Sequence, residues 1–171
     1  MVSRRQCMVA AATLAVLGSA PCRAKPLERP TGKVILTISG RIGVRNAGTR
    51  AEFDMDMLAA LPQRTFSTKT PWYPEAHQFT GPLLRDVLAA VGAQGQNLRA
   101  IAINDYKVDL PVADARKFDL VLARLMDGKP MPLRDKGPLF IVYPFDADES
   151  LRNERYYSRS AWQLKALDVL E

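Results

Sequence analysis

Cysteine and histidine are nearly missing from this chain: its 171 residues hold Cys7, Cys22 and His77, and no others of either type. Both cysteines fall among the first two dozen residues, which read as a removable leader. A polypeptide processed after Ala24 therefore carries no disulfide, no thiolate nucleophile and no thiolate metal ligand. A single histidine excludes a histidine-rich zinc or copper site built within one chain. A P-loop, a dinucleotide glycine fingerprint, a zinc-protease helix and a Gly-x-Ser-x-Gly elbow are also absent. A serine triad would need His77 as its base, and nothing around any serine supports one. Nucleic-acid binders show a basic stripe with base-stacking aromatics, whereas Lys and Arg here are scattered among the acids, so nucleic acid is discounted as a partner.

What is present begins with an export signal. Met1-Val2-Ser3-Arg4-Arg5 is basic, and Met8 to Leu17 follows as ten residues without a charge, the order of a signal peptide. A spanning helix needs about 20 apolar residues, so the segment is too short to remain as an anchor, and no transmembrane segment is expected after cleavage. Gly18-Ser19-Ala20 and Cys22-Arg23-Ala24 both suit signal peptidase, and cleavage after Ala24 is the favoured reading. A lipidated Cys22 is disfavoured, because Pro21 stands where a small residue belongs. Ser3-Arg4-Arg5-Gln6 also begins like a twin-arginine signal, but Cys7-Met8 replaces the expected bulky apolar pair. The mature protein is expected to be periplasmic or secreted. Removing residues 1–24 takes away Arg4, Arg5 and Arg23 and no acid, so the formal charge of +6 falls by three and the high isoelectric point is partly the leader's.

Residues 25–32, with Pro26 and Pro30, read as an extended linker, and residues 33–171 as one domain large enough to bury a core without staples. Strands are expected at Val34–Ser39, Arg64–Lys69, Leu98–Ile103, Tyr106–Leu110, Leu120–Met126, Leu139–Tyr143 and Ala161–Leu170. Asp54 caps a short helix, Met55–Leu61, which Pro62 ends. The clearest helix runs from Pro82 to Val91, with Leu84, Val87, Leu88 and Val91 at helical spacing and Gly92 just past its end. Val112–Lys117 reads as a helical turn, and Asp127-Gly128 as a tight turn. Many short strands with two or three helices make an α+β domain rather than a regular βαβ repeat. Asp105, Asp109, Asp114 and Asp119 lie close in sequence and are weighed as a carboxylate pair against the plainer role of turn and helix caps.

One run is more specific. Phe79-Thr80-Gly81-Pro82-Leu83-Leu84-Arg85-Asp86-Val87-Leu88 resembles the W-x-G-V-x-L-x-D-V-L segment of the molybdopterin-binding domain in the sulfite oxidase family. Ala102–Leu110, Leu122–Met131 and Lys136–Pro144 are similar to further pieces of that domain in the same order, and Trp162 matches a tryptophan before its final strand. The resemblance spans about residues 34 to 169. It implies the sulfite-oxidase-like fold, a molybdopterin-dependent oxidoreductase activity, and a pocket that holds molybdopterin. It also implies a cysteine shortly before the glycine segment whose thiolate binds molybdenum, a soft ligand for the metal. The matching stretch, Phe66 to Trp72, contains Ser67 and Thr68 but no cysteine, and a hydroxyl that stays protonated at neutral pH is a poor substitute.

Candidate ligand contacts follow. Lys69, His77, Arg85 and Arg124 are the nearest basic residues for a pterin phosphate or other anion, each with a plain alternative as solvated surface charge or loop hydrogen bonder. Trp72 and Tyr73, between Pro71 and Pro74, form a stiff aromatic loop that walls a pocket or lids the core. Asp105-Tyr106 shapes a hairpin, with a site role second. Three functions stay open: a non-catalytic exported member that binds a small ligand or a membrane-anchored envelope partner; a molybdenum enzyme whose metal is held by the pterin dithiolene with Ser67 or Thr68; and an interaction module whose pocket has closed.

Overall fold

A computed structural model of the chain describes residues 27–171. The leader expected over residues 1–24, with both cysteines, lies outside the described residues. In chain order the elements are β1 (Leu36–Gly40), β2 (Ala51–Phe53), α1 (Met55–Ala60), β3 (Gln63–Thr70), β4 (Tyr73–Pro82), α2 (Leu84–Ala90), β5 (Asn97–Ala102), β6 (Lys107–Pro111), α3 (Val112–Lys117), β7 (Val121–Ala123), β8 (Leu125–Met126), β9 (Lys129–Pro130), β10 (Phe140–Val142), a 3-10 turn (Glu149–Leu151), α4 (Glu154–Arg159) and β11 (Leu164–Leu170). Short helices and three mixed or antiparallel sheets make this an α+β domain, as expected.

The largest sheet has five strands in the order β2-β1-β11-β5-β6, with β1 and β11 parallel and the other pairs antiparallel. A second sheet runs β3-β4-β8-β9, and β7 pairs with β10 between them. Leu36, Ile38, Leu98, Ala100, Leu110, Leu164, Leu167 and Val169 alternate along the large sheet and face α2 and α3 in one aliphatic core. Each Leu, Ile or Val side chain taken out of water contributes about 2 kcal/mol. A separate cluster of Phe79, Val121, Ala123, Met131, Phe140 and Val142 lies beneath the second sheet, with Phe66, Trp72, Tyr73 and Trp162 packed against it.

Local chemistry sets the boundaries. The Asp54 carboxylate caps α1 by accepting from Met57 N at 2.9 Å, and its other oxygen accepts from Thr31 N and Gly32 N at 2.8 Å each, tying the incoming segment to the helix. α2 ends in a Schellman turn: Ala93 N donates to Leu88 O, Gly92 N donates to Ala89 O, and Gly92 takes the left-handed φ of 58° that the turn requires. Pro82 does not open this helix; it ends β4, and the helix begins two residues later. Gly81 is fixed by a close approach, because a Cβ there would lie 2.0 Å from Leu122 O.

Other expectations shift. Trp72 and Tyr73 are not one loop: Pro71-Trp72 is the turn of a long hairpin, and Tyr73 begins its second strand. That strand was hidden because Pro74 and Gly81 break its pattern. The strand expected over Leu120–Met126 divides at Arg124, so β7 and β8 join different sheets. β2 and α4 had no counterpart in the sequence reading. No helix among the described residues is long and apolar enough to cross a membrane.

Candidate functional site

The β3–β4 hairpin places its turn against the end of the large sheet and against α4. There Pro71, Trp72, Asn104, Tyr106, Glu154, Tyr157 and Trp162 line a cleft of about 470 Å³, within the size range of small-molecule sites. The Trp72 ring meets Trp162 edge-on at 4.9 Å between centroids and Phe140 at 5.6 Å, with Tyr157 at 6.5 Å. Trp72 packs on the aromatic cluster and also lines the open cleft. Outside the cleft lining, the Lys136 ammonium sits 4.6 Å from the Trp162 ring and 5.8 Å from that of Tyr73.

Tyr157 and Pro71 also wall a second cleft, of about 520 Å³, with Lys69, Thr70, Phe145, Asp146 and Arg152. Asp146 is the knot of this wall. Its carboxylate accepts from Lys69 N at 2.7 Å and from Arg152 at 3.0 Å, while its own N–H donates to Thr68 Oγ1 at 3.0 Å. Thr68 Oγ1 in turn donates to Lys69 O at 3.2 Å. The Thr68 hydroxyl is therefore spent on the backbone. The neighbouring Thr70 Oγ1 is buried and has no hydrogen-bond partner, although burying an unanswered hydroxyl costs free energy.

Of the residues expected from sequence, Trp72 and Tyr106 line the first cleft and Lys69 the second, with Thr68 buried beside it. The others line neither. Ser67 is exposed on β3. His77 Nδ1 lies 2.6 Å from Asp127 Oδ2, and its ring meets Tyr73 at 4.8 Å. The His77 hydrogen bond, then one from Gln78 N, holds the Asp127 carboxyl below the usual carboxylate range. Burial, then the hydrogen bond to Asp135 at 2.7 Å, raises the Tyr73 phenol above its usual value. Arg85 pairs with Asp119 at 2.7 Å, and Arg124 donates to Gln63 at 2.9 Å. Asp105, at a φ of 65°, shapes the β5–β6 turn and accepts from Lys165 at 2.6 Å. The four neighbouring acids do not converge: Asp109 goes to Arg99, Asp114 to Tyr143 and Arg159, and Asp119 to Arg85.

Sequence reasoning missed Thr70, Glu154, Tyr157 and Arg152. The available signal was Asn153, which caps α4 by accepting from Arg155 N, followed by the adjacent Tyr156 and Tyr157. Among the described residues, no three His, Cys, Asp or Glu side chains gather as a metal site.

No curated protein matches this chain. A family profile described as the oxidoreductase molybdopterin binding domain matches residues 47–146, which include the hairpin turn with Trp72 and the β5–β6 turn with Tyr106. That match spans more than half of the 171 residues, in agreement with the motif order from Phe79 to Pro144, and the chain belongs to the oxidoreductase molybdopterin binding domain family, the sulfite-oxidase-like fold.

Proposed function

We propose that this is an exported member of the family that binds a small ligand or a membrane-anchored envelope partner in the periplasm, without oxo transfer at a protein-ligated molybdenum. The observation that carries this reading is the fate of the stretch from Phe66 to Trp72. Where the family resemblance implies a molybdenum-binding thiolate, this chain has a Thr68 hydroxyl consumed by Asp146 N and Lys69 O. Ser67 is exposed on the strand, and a protonated hydroxyl is a weak ligand for a soft metal in either position. A pterin phosphate would find Lys69, because Arg152 is already engaged by Asp146 and by Phe145 O. The donor set therefore does not fit a metal held by the protein, while the aromatic cleft beside it remains open and lined for a ligand.

The test uses protein purified from its own periplasm. The expected result is an intact mass beginning at Lys25 and no stoichiometric molybdenum. Molybdenum with a pterin fluorescence signal overturns the reading. Both tryptophans of the chain, Trp72 and Trp162, wall the cleft, so intrinsic tryptophan fluorescence reports directly on its occupancy. Trp72→Ala should weaken binding as well as lower the melting temperature. A lower melting temperature with binding unchanged supports a closed interaction module instead.

A further inference from the structure

We propose that the cleft beside Trp72 selects a small organic ammonium ion, held on the faces of Trp72, Tyr106, Tyr157 and Trp162 and neutralised by Glu154. This inference rests on the ligand-binding reading above and names the ligand's chemistry.

The lining decides the sign of charge. Four aromatic rings border the cleft, and Glu154 is the one ionisable carboxylate among its lining residues, which include no Lys or Arg. Glu154 is exposed and makes no salt bridge with any described residue, whereas Asp105, Asp109, Asp114, Asp119, Asp127 and Asp146 each hold a cationic or histidine partner. The two serine hydroxyls of the lining are spent on backbone carbonyls. Ser158 Oγ donates to Arg155 O at 3.0 Å, and Ser160 Oγ donates to Tyr156 O at 3.0 Å. An anion would meet the negative faces of the rings and a carboxylate, and a neutral ring would leave Glu154 unanswered. A cation answers both, through the ring quadrupoles and through Coulomb attraction at the rim.

One ring of the cleft, that of Trp162, already accepts a cation. Lys136, which does not line the cleft, rests against the Trp162 ring at 4.6 Å, so the remaining aromatic surface offers the same chemistry to a ligand. Glu154, Tyr157 and Trp162 all lie beyond the residues matched to the family, which end at 146.

The experiment titrates the mature protein with choline, with its neutral isostere 3,3-dimethylbutan-1-ol, and with benzoate as a flat anion, reading tryptophan fluorescence and calorimetry. Choline is expected to bind about tenfold more tightly than the isostere. Glu154→Gln is expected to remove about fivefold of choline's affinity while leaving that of the isostere unchanged. Flotation with phosphatidylcholine and phosphatidylglycerol vesicles separates the sources: binding to the first alone, without response to free choline, assigns the ammonium to a lipid headgroup and still supports the inference. Benzoate or the isostere binding as well as choline overturns the ammonium assignment and leaves the ligand-binding reading standing. Silence in every arm overturns the assignment, and metal and mass analysis then judge the broader reading independently.

Discussion

The interior has two regions that answer their polar groups differently. Around the five-stranded sheet the packing is mainly aliphatic, with Phe53, Phe118, Tyr143 and Phe145 among it, and one Asp114 oxygen accepts from both the Tyr143 hydroxyl and Arg159 at 2.8 Å each. Burial, then Asp114, pushes the Tyr143 phenol well above its usual range, so it stays a neutral donor. Beneath the β3–β4 hairpin the packing is aromatic, edge-on and open to two clefts, and the buried Thr70 hydroxyl has no partner. The first region answers its buried polar atoms, whereas the second keeps open aromatic surface and an orphan hydroxyl, the surface on which the proposed ligand would rest.

The largest effect expected from breaking this contrast is at Asp114. Asp114→Ala leaves the Arg159 guanidinium and the Tyr143 hydroxyl unpaired in a mostly buried place, and urea unfolding should report a loss of about 3 kcal/mol. A loss below about 1 kcal/mol would mean that water replaces the carboxylate, and that the closed region is less closed than its contacts indicate. Next comes Thr70 on the other side. Thr70→Val removes a hydroxyl that has no partner, so the apo protein should gain about 1 kcal/mol. Destabilisation would show that the hydroxyl is bonded in solution, erasing the difference between the two regions.

The stable region was far easier to read from sequence than the open one. Asp54 before an apolar run, Leu84 with Val87 and Leu88 at helical spacing, and Gly92 after them are local signals, and each produced the expected cap, helix or turn. The family motif from Phe79 to Leu88 was legible for the same reason, being contiguous. The cleft was not. Its walls come from the hairpin turn at Trp72, the β5–β6 turn at Tyr106 and the segment from Glu154 to Trp162, which only tertiary packing brings together. Lys69, Arg85, His77 and Arg124 were expected as the nearest basic residues for a pterin phosphate or other anion. Strand alternation and local partners send three of the four elsewhere, Arg85 to Asp119, His77 to Asp127 and Arg124 to Gln63.

The smallest effect sharpens the contrast through pH. The Asp127 carboxyl is held low by His77 and Gln78, and that of Asp54 by Met57 N first and then Gly32 N. A carboxyl with a depressed folded-state pKa contributes stability that is fully present above the unfolded value of about 3.9 and lost as pH falls through the folded value, so both act below about pH 4. They differ in exposure. Asp54 is 1% exposed and binds three backbone N–H groups, whereas the Asp127 side chain is 52% exposed and water screens its pair with His77. Asp127→Asn should therefore change stability at neutral pH by no more than about 0.5 kcal/mol. It should leave most of the acid-induced loss in place, while Asp54→Asn flattens the stability profile between pH 2 and about 4. Equal flattening by the two substitutions would place the hairpin's surface pair on the same footing as the buried cap, and the division between a closed region and an open one would fail at its edge.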